Sequence, residues 1–114
     1  MVEETVNAAV ELEKQGVSVE IIDPRTVSPL DTDTVAESVA KTGRLLIVDE
    51  AFGQYGFSSE IAARVSDVAF DELDAPIKRL CGVFTPTPYS PTLEEAIIPN
   101  VNSIVSAVLE LTKE

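Results

Sequence analysis

An α/β layered fold with a mainly parallel sheet is predicted by three features of this chain. Helix-type and strand-type patterns alternate along it in the order α-β-α-β-α-β-loop-α, and strands separated by helical segments pair in parallel through crossovers. Residues 45–48 (LLIV) are apolar at every position, as in a strand covered on both faces. The 114 residues amount to one domain, and a hydrophobic fraction of 45% is enough to bury a single core.

Residues 2–15 read as a helix, with Val2, Val6, Ala9 and Val10 on one face and Gly16 as its stop. Residues 17–23 (VSVEIID) read as a strand: Val17, Val19 and Ile21 alternate, and Pro24 punctuates the end. Asp31 is the N-cap candidate of the next helix, with Leu30 and Val35 at the spacing of a hydrophobic staple. That helix runs to Lys41 or Thr42 and stops at Gly43. After the LLIV strand, residues 51–56 form a loop with two glycines. A helix follows from Ser58 to about Leu73, with Ile61, Ala62, Val65, Val68 and Ala69 as its buried stripe. Residues 76–80 (PIKRL) are a short third strand. Residues 82–92 (GVFTPTPYSPT) hold three of the seven prolines and should be extended. Thr92 and Glu95 make a T-x-x-E capping box for a short helix that Pro99 breaks. Asn100 or Asn102 caps the last helix, whose apolar face is Ile104, Val105, Val108 and Leu109.

Composition narrows the chemistry. The chain has no His, which removes Ser-His and Cys-His dyads, most zinc sites and the usual general base near neutral pH. Its single Cys forbids an internal disulfide and fits a reducing compartment. No apolar run has the length of a membrane span, and no charged-then-apolar leader opens the sequence. Eight Lys and Arg stand against 20 Asp and Glu, a net charge of -12. Such a surface repels phosphate backbones, so nucleic acid is not expected as a partner. It favours a basic protein partner, or serves only to keep the chain soluble; a halophilic source gives the same balance.

Four constellations carry candidate chemistry. Asp49 and Glu50 follow a buried strand, at the carboxyl end where open parallel sheets bind ligands. Two acids there suit a metal or acid–base work, and equally suit capping of loop amides or a subunit contact. Residues 52–60 (FGQYGFSSE) place Gly53 and Gly56 before a helix, as in an anion cradle or a plain chain reversal; G-x-x-G is neither a P-loop nor a dinucleotide fingerprint. Cys81 ends a strand with no His to activate it and reads as a core residue. Asp71, Glu72 and Asp74 cluster at a helix C-terminus, where the helix dipole disfavours acids; a partner or a solvated helix end accounts for them. Together these describe a domain that binds or assembles more readily than it catalyses.

The string IIDPRTVSPLD at 21–31 resembles the V-I-D-L-R-T-x-x-P-L-D signature of the C-terminal domain shared by transketolase-like enzymes. KTGRLLIVDEA at 41–51 resembles the next strand of that family. TPTPYSP with LEEAIIPN, within 85–100, is similar to beta subunits of the thiamine-diphosphate-dependent first component of 2-oxo-acid dehydrogenase complexes. Many pyruvate and branched-chain members carry His where this chain has Asp49, and VDEA is similar to acetoin dehydrogenase beta subunits. The resemblance covers essentially the whole chain.

The resemblance implies a three-layer α/β/α domain with a mainly parallel sheet, spanning residues 1–114 and lacking the first two strands of the family. It implies no catalytic, cofactor or metal residue in this domain, with thiamine diphosphate and magnesium held elsewhere in a parent oxidoreductase. Implied partners are the alpha subunit, a second beta subunit and the basic subunit-binding domain of the acyltransferase. Asp71, Glu72, Asp74 and Glu114 are the candidate residues for the last of these. The implied location is the cytoplasm, or a mitochondrial or plastid matrix. The family's second strand lies between those matching 17–23 and 45–48. Without it the sheet should show a gap with unpaired backbone groups, unless another chain fills the gap or the sheet rearranges. Other readings are a stand-alone α/β ligand-binding or regulatory module, and the equivalent domain of transketolase or deoxyxylulose phosphate synthase.

Overall fold

The computed structural model describes residues 1–23, 31–52, 56–82 and 98–113. Helix α1 spans Val2–Lys14. It ends as the sequence requires: Gly16 takes φ 81°, its N–H donates to the Glu13 carbonyl, and Val17 N–H donates to the Leu12 carbonyl. That pair of bonds is a Schellman closure, and only a residue tolerant of the left-handed region makes it cheaply. Helix α2, Thr32–Thr42, opens on Asp31, whose carboxylate accepts from Thr34 N–H at 3.1 Å and from the Thr34 hydroxyl at 2.6 Å. It closes on Gly43 at φ 76°. The Leu30 staple lies outside the described residues.

Strand β1, Leu46–Phe52, pairs in parallel with β2, Lys78–Gly82. Between them runs helix α3, Phe57–Ala69, which supplies the crossover a parallel pair needs. A 3₁₀ turn, Phe70–Glu72, follows α3. The last helix, α4, spans Val101–Thr112. Asn100, not Asn102, is its cap: Asn100 Oδ1 accepts from Ser103 N–H at 2.9 Å, and Ser103 Oγ accepts from Asn100 N–H at 2.8 Å. The Thr92–Glu95 box lies outside the described residues.

The helices pack as two pairs. Val35 and Val39 of α2 meet Ile61, Val65 and Ala69 of α3 around Ile47 of β1. Helix α1 packs along α4, burying Ala8 and Leu12 of one helix and Ile104, Ala107 and Leu111 of the other. Arg44 Nε donates to the Leu111 carbonyl at 3.2 Å, and Lys78 meets Glu110 at 2.7 Å, so the end of α4 is tied to the start of both strands.

The stripes expected from periodicity need three corrections. Val2, Val6 and Val10 are 46%, 45% and 51% exposed, because α1 turns its Ala8–Leu12 side to α4. Val68 is 63% exposed; α3 buries Ser58, Ile61, Val65 and Ala69 instead. On α4 the buried residues are Ile104, Ala107 and Leu111, with Val105, Val108 and Leu109 only half-buried. The two strands also sit later in the chain than their apolar strings suggest.

A larger correction concerns residues 17–23. They form no strand: the described ladder joins β1 and β2 alone. A strand pattern becomes a strand only where a neighbouring edge accepts its backbone. Between 17–23 and β1 there is instead a cavity of about 450 Å³, lined by Leu12, Val17, Val19, Ile21, Ile47 and Ile104 among others. The segment and β1 thus both line this cavity and do not pair with each other. The described architecture is α/β with a two-stranded parallel sheet and four α-helices.

Candidate functional site

The acidic run lies where α3 gives way to the 3₁₀ turn. Ala69 leaves helical geometry at φ -135°, ψ 19°, and Leu73 N–H closes the turn on the Phe70 carbonyl at 3.2 Å. Asp71 and Glu72 thus stand in the 3₁₀ turn, one and two residues past Phe70, the C-cap of α3. They therefore remain beside the negative end of α3, where the dipole disfavours acids. Both side chains are exposed, and neither takes part in an ion pair among the described residues.

Asp74 differs from its neighbours. Its backbone N–H donates to the Gly43 carbonyl at 2.7 Å, and its side chain lies directly over the Gly43 α-carbon. A β-carbon at Gly43 would collide with that carboxylate. Asp74 therefore joins the end of α2 to the segment before β2, with Ala75 buried beside it. All three acids of the run are exposed, and Asp74 in addition bonds the end of α2 through its backbone N–H. Glu114 lies outside the described residues.

Asp49 and Glu50 sit inside β1, not past its end. Val48 pairs with Leu80 and Phe52 with Gly82, so four steps on β1 match two on β2. The two acids occupy this bulge, a device that redirects side chains at a strand's end. Asp49 is half-buried; Glu50 is exposed, with Oε1 3.7 Å from the Met1 ammonium. Among the described residues no three His, Cys, Asp or Glu side chains group as metal ligands. Of the glycine loop, Gly56 is described, as the N-cap of α3; Gly53 lies outside.

Cys81 is half-buried rather than fully buried, and its Sγ lies 3.3 Å from the Ser58 Oγ at the start of α3. Arg79 Nη1 donates to Ser59 Oγ at 2.7 Å and lies 3.5 Å from Ser58 Oγ. This cluster clips α3 to β2. Sequence reasoning missed it, since nothing local links residues about twenty positions apart; the FSSE start of α3 was the only available signal.

These features define an acidic α/β domain with a parallel β-α-β crossover, presenting unpaired acids on the turn after its crossover helix. The chain belongs to the transketolase C-terminal domain family, whose model matches residues 1–104. It is 48% identical, over 94% of its length, to the acetoin:2,6-dichlorophenolindophenol oxidoreductase subunit beta of Bacillus subtilis. It is 52% identical, over 90% of its length, to the pyruvate dehydrogenase E1 component subunit beta of Rhizobium meliloti. Against the acetoin oxidoreductase beta subunit of Cupriavidus necator the identity is 46% over 99% of the chain. The chain spans 31%, 22% and 33% of these three relatives.

Proposed function

We propose that this chain is the C-terminal assembly domain of the beta subunit of a 2-oxo-acid dehydrogenase first component. The observation that carries the reading is its match, along nearly its whole length, to beta subunits of both pyruvate and acetoin enzymes. Identities of 48% and 52% do not separate the two substrates, so the lean toward acetoin rests on Asp49 alone. In this reading the domain completes to a three-layer α/β/α sandwich and contributes contacts to the alpha subunit and a second beta subunit. Thiamine diphosphate and magnesium belong to other domains of the parent, and the compartment is cytoplasm or an organelle matrix. The basic subunit-binding domain of the acyltransferase docks on Asp71 and Glu72, with Glu114 as a further carboxylate. Asp74, exposed beside them, is the third acid of the run offered to the partner, and its backbone N–H ties the turn to Gly43.

The test is titration calorimetry of the purified chain with thiamine diphosphate and magnesium, run beside a turnover assay with pyruvate and acetoin. No heat of binding and no turnover are expected, whereas the longer beta subunit assembled with its alpha subunit should show both. Saturable binding of cofactor or of another anion by the 114-residue chain would instead favour a stand-alone ligand module.

A further inference from the structure

Phe70 is 70% exposed and Val68 is 63% exposed, the two highest values among the large apolar side chains of the described residues. Both lie near the junction of α3 and the 3₁₀ turn, in an acidic stretch of the sequence. Asp67, Asp71 and Glu72 are exposed and in no ion pair among the described residues. Neither the last turn of α3 nor the 3₁₀ turn holds a basic residue. The one arginine nearby on α3, Arg64, is already held by Glu60 at 2.9 Å. Behind Phe70 a shallow depression continues over Ala62, Ser66, Leu73 and Ile77.

The turn that carries Phe70 is firmly held. Leu73 packs against the α2–α3 core, Ala75 is buried, and Asp74 N–H bonds the end of α2. Phe70 is thus a large apolar side chain displayed on a fixed platform, so little conformational freedom remains to be lost when a partner covers it. An apolar centre with neighbouring charges of one sign is the anatomy of a docking site with a desolvated anchor and a steering rim.

We propose that Phe70 is the apolar anchor of a surface that takes a basic polypeptide segment presenting an aliphatic side chain. The partner's cations meet Asp67, Asp71 and Glu72, while its aliphatic group covers the Phe70 ring and enters the depression beside it. This rests on the docking reading given above and adds to it the group that holds the partner once it has arrived. The two functions separate kinetically: rim charges set the association rate, and a buried anchor sets the dissociation rate.

The experiment measures association and dissociation of the basic subunit-binding domain on the assembled enzyme across a salt series. Phe70→Ala, Phe70→Leu and the double variant Asp71→Asn, Glu72→Gln are compared with the unaltered protein. Phe70→Ala should speed dissociation about tenfold or more, the range of anchor residues, with the association rate and salt slope unchanged. Phe70→Leu should recover most of that loss. The double variant should slow association and flatten its salt dependence. All three should keep the parent melting temperature, since the altered side chains are exposed. A dissociation rate untouched by Phe70→Ala, with the double variant behaving as stated, overturns the anchor and leaves the docking surface standing. No change of either rate in any variant overturns both.

Discussion

Gly43 and Gly16 both hold a left-handed backbone, at φ 76° and 81°, but their surroundings differ. Around Gly16 a β-carbon would meet open space, whereas at Gly43 it would meet the Asp74 carboxylate. Gly16→Ala should therefore cost only the left-handed penalty, about 1–2 kcal/mol. Gly43→Ala should carry that penalty plus the cost of swinging the exposed Asp74 carboxylate aside, about 0.5–1.5 kcal/mol for an off-rotamer side chain. Adding Asp74→Ala to Gly43→Ala should return most of the excess, and urea unfolding of the four proteins closes the cycle. An excess that persists without the Asp74 side chain would place the clash elsewhere. Asp31 offers a pH test at the same scale. The Thr34 hydroxyl, and then the Thr34 N–H, hold its carboxyl below the usual aspartate value. The folded pKa is the lower one, so the stabilisation is complete above the ordinary value of about 3.9 and is lost as pH falls through the folded value. Asp31→Asn keeps a capping oxygen without the titration, so its melting temperature should fall less than the parent's on acidification. These caps were legible in the sequence because capping is local: Gly16, Gly43, Asp31 and Asn100 each act within a few residues. The bond from Asp74 N–H to Gly43 was not legible, because the two residues are thirty-one positions apart.

At the scale of elements, periodicity found every described helix but misplaced the buried face of α1. Val2, Val6 and Val10 form a ridge as regular as Thr5, Ala8 and Leu12, and the pattern alone does not say which one meets α4. The choice is made by packing, where small Ala8 lets α1 approach α4 closely. Residues 17–23 fail for a related reason. Their alternation is genuine, but a strand is a property of two segments, and the described structure gives this one no partner. Side-chain links remain: Lys41 meets Glu20 at 3.1 Å, and the hydrogen bond from Lys41 is the main cause that lowers the Glu20 pKa. Glu20 is fully exposed, so this tie is weak and screened by salt. Hydrogen exchange should show the contrast. Amides of 17–23, beyond the Val17 N–H bonded to Leu12, should exchange far faster than those of the β1–β2 ladder. Protection of 17–23 equal to that of the ladder would mean that the segment is paired in solution.

The whole molecule carries a net charge of -12, and its described residues leave apolar surface open in several places. These include the Val2–Val6–Val10 ridge of α1, Val68 and Phe70 at the end of α3, and the 450 Å³ cavity lined by 17–23 and β1. Charge and apolar surface act in opposite senses on association. Like charge keeps copies apart at low ionic strength, while exposed apolar area and an unpaired strand edge favour contact, including exchange of 17–23 between copies. Screening decides the balance. The Debye length falls from about 10 Å at 0.1 M salt to about 3 Å at 1 M, so repulsion between whole chains fades while apolar attraction does not. The purified 114-residue chain should therefore shift from smaller to larger species as sodium chloride rises over that range. Light scattering coupled to size-exclusion chromatography reads the shift directly. Val6→Glu together with Val10→Lys should reduce it if α1's ridge is the contact, because the pair leaves the net charge at -12 and alters only the apolar face. If association persists in that variant but is abolished by Ile21→Asn, the contact runs through the open side of β1 and the unpaired segment. A sharp, monomeric melt at every salt concentration would show that the chain closes its own cavity, and that the gap beside β1 does not persist in solution.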